Sequence, residues 1–215
     1  MRILLSKAWL LALLVAVAFI PAACGGAGSD RQGSGSGGGM DHSQTGHDSM
    51  GMGSSGMAKQ MVMKNGEYSD ERFIDAMVPH HQGAIAMARV ALEHAEHEEI
   101  IELSRNIVST QQAEIEELKA IKKDEFGTSN VPMEMNPQQI RSMGMMMNPQ
   151  SLADEKPFDQ AFIDAMIPHH QSAIQMAKVA NQESENPRIK KLAGNIMSAQ
   201  NQEIEQMKQW RQRWY

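Results

Sequence analysis

FIDAMVPHHQGAIAMARVA, residues 73–91, returns later in the chain as FIDAMIPHHQSAIQMAKVA, residues 162–180. The two stretches are identical at 15 of 19 positions, and the offset of 89 residues continues without a gap into a second pair of segments that begin at Asn106 and Asn195. Apolar residues recur in both pairs of segments at intervals of three and four, which is the period of an amphipathic helix. Each repeat is therefore predicted to be one helical hairpin, used twice.

Two hairpins that cannot each bury an apolar stripe alone pack most simply as a four-helix bundle. We therefore predict an all-α fold without a β-sheet, with bundle residues 67–215 divided into hairpin repeats 67–123 and 157–215. The connector between them, residues 124–156, is long for a bundle. Two Asn-Pro-Gln motifs within it, at Asn136 and Asn148, predict short capped helical turns.

The beginning of the chain has a different character. Basic residues precede a short apolar run, and small residues then lead to Cys24, the one cysteine of the sequence. This pattern is typical of a secretory signal peptide, residues 1–23, followed by the lipid-modified cysteine of a bacterial lipoprotein. Pro21 stands where that motif prefers Leu or Val, so an uncleaved anchor with an incidental cysteine is the alternative. Either interpretation places the remainder outside the cytoplasm, at the periplasmic or outer face of the cell envelope.

Residues 24–66 are predicted to be a disordered linker. Its first part is almost all Gly and Ser, which gives a flexible tether. Its second part is rich in Met and His without hydrophobic periodicity, in a chain that has 19 Met against 5 Phe. Thioethers select Cu(I), and imidazole suits Cu(II). We therefore predict an auxiliary metal site that draws on His42, His47, Met50 and Met52; a linker that is Met-rich by chance is the alternative.

The two adjacent histidines of each repeat are predicted to face the core. On a helical wheel with Met77 at zero, His81 falls at about 40° and His80 at about −60°. Four buried imidazoles without a metal would require four sets of hydrogen-bond partners, which is the structural alternative. The ligand chemistry instead predicts a metal site. Its pool of ligands comprises Met77, His80, His81 and Met87 in the first repeat and Met166, His169, His170 and Met176 in the second, and the pattern does not fix which of them share one ion.

Polar residues also lie on the apolar stripe of the second helix of each hairpin. Glu114 and Gln111 fall on this stripe, and Glu203 and Gln200 repeat the arrangement. A buried carboxylate needs a partner, which could be a histidine N–H that orients the ring or the metal itself. Two further carboxylates, on the opposite side of the wheel, are kept as weaker supporting candidates: Asp75 and Asp164.

Other Met and His residues have less specific patterns. His94 and His97 could share one helical face as an auxiliary site, although a solvated helix end is the better interpretation. The methionines of the connector, within residues 133–135 and 143–147, could be thioether ligands or core filler, since Met packs irregular gaps.

In the two repeats the sequence resembles the bacterial domain of unknown function 305 family. The resemblance rests on FIDAMVPHHQGAIAMA with a downstream QQAEIEEL, and on FIDAMIPHHQSAIQMA with QNQEIEQM, and it covers the chain from about Tyr68 to the C-terminus. It implies a secreted helical bundle, often described as ferritin-like, with members associated with copper binding and copper tolerance. It carries over to the eight Met and His residues of the two repeats, and neither to His94 and His97 nor to the Met/His tract of the linker.

The function expected from these features is that of a tethered copper-binding protein that sequesters or hands on copper, Cu(I) in preference to Cu(II), without catalysis. Its partners would be copper ions, the membrane through a lipid at Cys24, and a second copy of the chain or a copper-acceptor protein. A net charge of −6 without a basic patch argues against nucleic acid. A di-iron or di-manganese bundle enzyme is one alternative, although its Glu-x-x-His motif is missing. A metal-free envelope interaction module is the other.

Overall fold

The structure is a computed structural model, and it describes residues 54–132 and 135–215. Several predicted features lie outside these residues: the signal peptide, the lipidation site Cys24, and the auxiliary ligands His42, His47, Met50 and Met52. The described elements are, in order, α1 (Ser54–Met61), β1 (Met63–Lys64), β2 (Glu67–Tyr68), α2 (Asp70–His94), α3 (Glu98–Phe126), α4 (Pro137–Ser142), a 3-10 helix (Pro149–Asp154), α5 (Phe158–Glu183) and α6 (Pro187–Trp214). The predicted all-α helical bundle built from two hairpins is confirmed.

The segment before α2 differs from the prediction. Residues 54–66 were assigned to the disordered linker, but they form α1 and one strand of a short antiparallel ladder in which Met63 pairs with Tyr68. Asn65 and Gly66 form the turn with φ values of 55° and 87°, the left-handed backbone that an Asn-Gly hairpin turn requires. The expectation of no β structure is therefore wrong for this ladder, because the Asn-Gly pair favours a hairpin turn over a continued linker.

The two helices of each hairpin run in opposite directions, and the hairpins are also joined to each other at their ends. Ion pairs between α3 and α6 link Asp124 to Arg188 at 2.7 Å and Glu99 to Arg213 at 2.8 Å. Because each pair joins the beginning of one helix to the end of the other, α3 and α6 are antiparallel.

Helices α2 and α5 are antiparallel as well, and the histidine motifs meet near the middle of both. Asp159 at the start of α5 accepts hydrogen bonds from the backbone just beyond the end of α2. The buried apolar residues form two clusters. Met77 and Met176 belong to one cluster, and Met87 and Met166 belong to the other. In sequence, the histidines of each helix therefore stand between a methionine of one cluster and a methionine of the other.

The connector packs against both repeats. As predicted, Asn136 caps α4 and Asn148 caps the 3-10 helix through side-chain hydrogen bonds to the backbone. Between them, Gly144 has a φ of 64° and lies so close to α5 that a Cβ atom there would be 2.9 Å from backbone atoms of Pro168 and His169. Glycine is required at this position, both for the left-handed backbone and for the close approach.

Among the helices of the described residues, none is long and apolar enough to cross a membrane.

Candidate metal centre

The four histidines of the two motifs form a row through the bundle. The rings of His80 and His169 are in contact, with centroids 3.8 Å apart. His81 follows His80 at 6.4 Å, and His170 follows His169 at 6.1 Å. All four residues have 0% exposure. The row is thus arranged symmetrically about the contact between the two repeats.

A carboxylate stands at each outer end of the row. Glu203 Oε2 accepts a hydrogen bond from His170 Nε2 at 2.6 Å. At the other end, Glu114 Oε2 lies 2.8 Å from His81 Nε2, which is close enough for an ion pair although the angles do not make a hydrogen bond. A neutral imidazole that donates Nε2–H keeps its lone pair at Nδ1. Glu203 therefore holds the His170 ring with Nδ1 available as a ligand, and the Glu114 carboxylate beside His81 Nε2 favours the same tautomer there.

The inner histidines have unequal surroundings. His80 Nε2 lies 2.7 Å from Ser172 Oγ and 3.1 Å from the carbonyl oxygen of Met143. Ser172 Oγ in turn lies 2.6 Å from the same Met143 oxygen, to which it can donate its proton. An N–H at His80 Nε2 satisfies these acceptors, and the lone pair of that ring is then at Nδ1.

Six ring nitrogens of the row are buried and lack a hydrogen-bond partner: Nδ1 of all four histidines, and Nε2 of His81 and His169. Of these six, His81 Nε2 lies beside a carboxylate, that of Glu114 at 2.8 Å. A buried polar atom without a partner costs about 1–3 kcal/mol, and native structures contain few of them. Such a concentration in one layer is the pattern expected of nitrogens that bind a ligand. The donor set therefore fits a metal ion.

The environment of the row keeps the inner imidazoles neutral. Burial lowers the pKa of His80 well below its ordinary value, and the neighbouring rings of His81 and His170 lower it further. The pKa of His169 is also lowered, first by burial and then by His80, His170 and His81. A neutral imidazole is the form that binds metals, so these rings are ready to do so at neutral pH without losing a proton.

The other predicted ligands and supporting residues of the two repeats are also buried. Met77, Met87, Met166 and Met176 are all fully enclosed in the apolar clusters on either side of the row. Gln111 and Gln200 are buried too, and both leave side-chain atoms without hydrogen-bond partners. The burial that the helical wheel predicts for both pairs of helices is therefore observed.

Asp75 and Asp164 take different partners from those proposed. Asp75 binds Lys122 of α3, and Asp164 binds Arg211 of α6 with an Arg211 Nη2 to Asp164 Oδ2 distance of 3.1 Å. Each carboxylate is held by a cation of the neighbouring helix, not by a histidine. These contacts do not favour a supporting role of the two aspartates at the metal ligands, which stays a prediction.

His94 and His97 do not share a helix, because α2 ends at His94 and His97 immediately precedes α3. The carboxylate of the buried Asp159 accepts hydrogen bonds from Glu96 N at 3.1 Å, His97 N at 2.8 Å and His97 Nδ1 at 2.6 Å. The His97 ring also stacks on Trp214 at 3.7 Å. This cluster closes one end of the bundle. Sequence reasoning missed Asp159, because an acidic residue in the first turn of a helix is expected in any case.

The row does not form a complete shell by itself. Within residues 54–132 and 135–215, no three His, Cys, Asp or Glu side chains are placed so that they could hold one ion. A shell of three or four ligands here must therefore include methionine sulfur or draw the rings together.

Comparison with known proteins bears on this arrangement. The family model described as "Domain of unknown function (DUF305)" matches the chain twice, over residues 26–122 and 70–211. Among curated proteins, "Uncharacterized protein L153" of Acanthamoeba polyphaga mimivirus is 43% identical over 49 residues, which are 23% of this chain and 32% of that protein. The match thus spans about a third of that relative.

Solved structures resemble a larger part of the chain. CopM in the Cu(II)-bound form is 44% identical with a TM-score of 0.65, and the match covers 69% of this chain and 99% of that one. CopM in the Cu(I)-bound form is 40% identical with a TM-score of 0.61 over the same shares of the two chains. A DUF305 fragment from Deinococcus radiodurans has a TM-score of 0.61 at 24% identity, covering 67% of this chain and 95% of that one, which shows the fold alone. Because the two matches to the family model together span most of this chain, the chain belongs to the DUF305 family.

Proposed function

We propose that this protein binds copper at the row of four histidines and sequesters the ion or passes it on, outside the cytoplasm, as a contribution to copper tolerance. The observation that carries the proposal is the set of six buried ring nitrogens without hydrogen-bond partners in one layer of the bundle. Metal binding would give these nitrogens the partners that the folded chain does not provide.

The types of donor indicate which ion the site would prefer. Neutral imidazole binds both oxidation states of copper, whereas thioether sulfur is soft and favours Cu(I). Fully buried methionines lie in the apolar clusters on both sides of the histidines. We therefore expect Cu(I) to bind more tightly than Cu(II). The similarity to CopM, which has been solved in forms with each ion, supports copper as the metal.

The remaining residues of the site would position and protect the ion. Glu203 would fix the His170 ring through a hydrogen bond at Nε2, and the Glu114 carboxylate would favour a proton at Nε2 of His81, so that Nδ1 is the nitrogen left to bind in both rings. Complete burial keeps water away from the ligands and favours the neutral form of His80 and His169. None of these roles requires a chemical reaction, and we propose binding without catalysis.

The two alternative functions receive less support. In a carboxylate-bridged di-metal enzyme the glutamates bind the metals directly. Here Glu114 and Glu203 are each engaged with an imidazole at the outer ends of the row. A metal-free interaction module would leave the six ring nitrogens without hydrogen bonds as an uncompensated cost in stability.

The attachment to a membrane is a separate part of the proposal and rests on the sequence around Cys24. We propose that the mature chain begins at this cysteine and carries a lipid there, with residues beyond it forming the tether. Expression of the full precursor in a bacterium with a lipoprotein-processing pathway, followed by mass spectrometry of the N-terminal peptide, tests it. A lipid-modified Cys24 in the wild type, and release of a Cys24→Ala variant from the membrane fraction, are the expected results.

The copper proposal is tested by competition between the purified chain and a chromophoric Cu(I) chelator under anaerobic conditions. The wild type should retain copper against the chelator, and the double variant His80→Leu/His169→Leu should lose the share bound by the bundle. His94→Leu, a substitution outside the row, is the matched control and should bind as the wild type does. All chains should carry His42→Gln, His47→Gln, Met50→Leu and Met52→Leu, so that the linker does not contribute. Failure of the chain with an intact row to retain any copper would reject the proposal.

A further inference from the structure

The two repeats differ at one position that directly faces the inner histidines. Ser172 in the second repeat corresponds to Gly83 in the first at the offset of 89 residues. Ser172 Oγ contacts Nε2 of His80 on the opposite helix at 2.7 Å. A Cβ atom at Gly83 would lie 3.4 Å from Nε2 of His169, but glycine provides no hydroxyl there. His80 thus has a partner at Nε2 that His169 lacks.

As a result, His169 is the one ring of the row whose nitrogens make neither a hydrogen bond nor an ion pair. His81 Nε2 also lacks a hydrogen bond, but it lies 2.8 Å from the carboxylate of Glu114. His80, His81 and His170 each place Nε2 against an oxygen atom. His169 is therefore free to present Nε2 as a ligand while Nδ1 carries the proton. No other ring in the row can present Nε2 without giving up an existing contact.

A methionine of the connector fills the space that glycine leaves. Measured from the Cβ position built on Gly83, Met145 Cε lies at 3.1 Å, His169 Nε2 at 3.4 Å and Met145 Cγ at 3.6 Å. The sulfur of Met145 is bonded to both of these carbons. The thioether and the free nitrogen of His169 therefore adjoin the same small region of the interior.

The connector is held at this place by its own backbone. Gly144 packs directly on the backbone of Pro168 and His169. The carbonyl oxygen of Met143 accepts the hydrogen bond of Ser172 Oγ. These contacts, on the two residues before Met145, limit how far its side chain can move from His169. Met145 also packs against the apolar cluster that contains Met77 and Met176.

We propose that Met145 Sδ and His169 Nε2 bind the same Cu(I) ion, so that the connector and the second repeat form the primary site of an otherwise symmetrical row. This inference rests on the copper-binding function proposed above and adds a ligand from outside both repeats. Gly83 makes room for the thioether of Met145. Ser172 holds His80 with its lone pair at Nδ1, so His80 Nε2 does not compete with His169 Nε2 for the ion. A soft sulfur beside an unpartnered imidazole nitrogen is a donor pair suited to Cu(I).

The competing interpretation is that Met145 only fills a gap. Leucine has nearly the volume of methionine and is usually tolerated in its place, but it has no donor atom. Met145→Leu therefore separates packing from ligation. Met147→Leu, two residues further on at a position that is 64% exposed, is the matched control.

The experiment compares the full chain with these two variants, all in the background that removes His42, His47, Met50 and Met52 as donors. Cu(I) affinity is measured by anaerobic chelator competition, and copper–sulfur scattering by X-ray absorption at the copper edge. We expect Met145→Leu to weaken Cu(I) binding at least tenfold and to lower the sulfur contribution. Met147→Leu should remain within twofold of the parent in both measurements.

A second variant, at Gly83, tests the same pairing of Met145 with His169 without changing either residue. Gly83→Ser places a hydroxyl near His169 Nε2 and pushes the methyl group of Met145 away, so it should also weaken Cu(I) binding at least tenfold. Equal affinity and equal sulfur scattering in Met145→Leu, with copper still retained by the parent, would overturn this inference and leave the proposed function standing. Absence of copper from the parent itself would overturn the proposed function.

Discussion

Two of the carboxylate–imidazole pairs in the described residues, Asp159 with His97 and Glu203 with His170, differ in completeness. At the end of the bundle, the Asp159 carboxylate accepts hydrogen bonds from three donor groups of Glu96 and His97. The His97 side chain is 35% exposed, so the rest of its ring can reach water. In the middle, Glu203 binds one nitrogen of His170, and the other nitrogen is buried without a partner. The first pair stabilises the fold by itself, whereas the second leaves a lone pair available.

This difference separates structural polar groups from groups that hold a ligand. Burial of a polar residue is compatible with either role, because Asp159 and His170 are both almost inaccessible. What distinguishes them is whether each polar atom has a partner within the folded chain. Substitutions at the two places should therefore have opposite effects on the stability of the metal-free protein.

The largest effect is expected where the connector is held against the middle of the bundle. Gly144→Ala should lower the free energy of unfolding by about 2–4 kcal/mol, because the residue has a positive φ and the added carbon would meet the backbone of α5. Gly127→Ala is the control: Gly127 also has a positive φ, of 73°, but a Cβ there meets no atom within 4 Å. It should cost only about 1 kcal/mol. Urea denaturation measures both, and equal losses would contradict the close packing of the connector.

The second largest effect is expected from removal of the Asp159 carboxylate, which pairs with His97 at the end of the bundle. Asp159→Ala should lower the free energy of unfolding by about 2–3 kcal/mol, because two backbone N–H groups and one imidazole lose their acceptor. Asp164→Ala, on the same helix but in an exposed ion pair with Arg211, should cost less than about 1 kcal/mol. Thermal and urea unfolding of the two variants provide the comparison. A loss at Asp164 as large as that at Asp159 would refute this assignment of roles.

The pH dependence of the free energy of unfolding should reveal the two buried inner histidines, His80 and His169. His80 and His169 have a pKa below the ordinary value of 6.5, so the unfolded chain takes up protons before the folded chain does. Stability from this source is present above pH 6.5 and is lost as the pH falls below that value, at up to about 1.4 kcal/mol per pH unit for each histidine. Urea unfolding of the metal-free chain between pH 7.5 and 5 should show this decline, and His80→Leu/His169→Leu should flatten it. Parallel curves for the two proteins would show that these rings are not its source.

The smallest effect is an increase in stability. His169→Leu should raise the free energy of unfolding of the metal-free protein by about 1 kcal/mol, because it removes two buried nitrogens that lack partners. His97→Leu should lower it, since it removes a hydrogen bond to Asp159. Chemical denaturation in the presence of a copper chelator measures both changes. A loss of stability in His169→Leu would mean that its nitrogens have partners within the folded chain.

The sequence predicts the helices and the burial of the histidines because both follow from local periodicity. The burial of Glu114 and Gln111 is also readable from the helical wheel, as is their position on the face that meets the histidine helix. The sequence does not predict the contact between His80 and His169, or the position of Met145, because both depend on how the hairpins and the connector pack. The sequence does not predict the partner of Asp75 for the same reason, because Lys122 comes from another helix and has no signal in the repeat.

The contact between His80 and His169 also bears on how such a molecule could arise. A chain with one hairpin would carry half of the row, one histidine pair and one glutamate, and would complete it only by association with a second copy about a two-fold axis. Joining both copies in one polypeptide makes the pairing independent of protein concentration. It also allows the halves to diverge, as they have done at Gly83 and Ser172, which two identical subunits could never do.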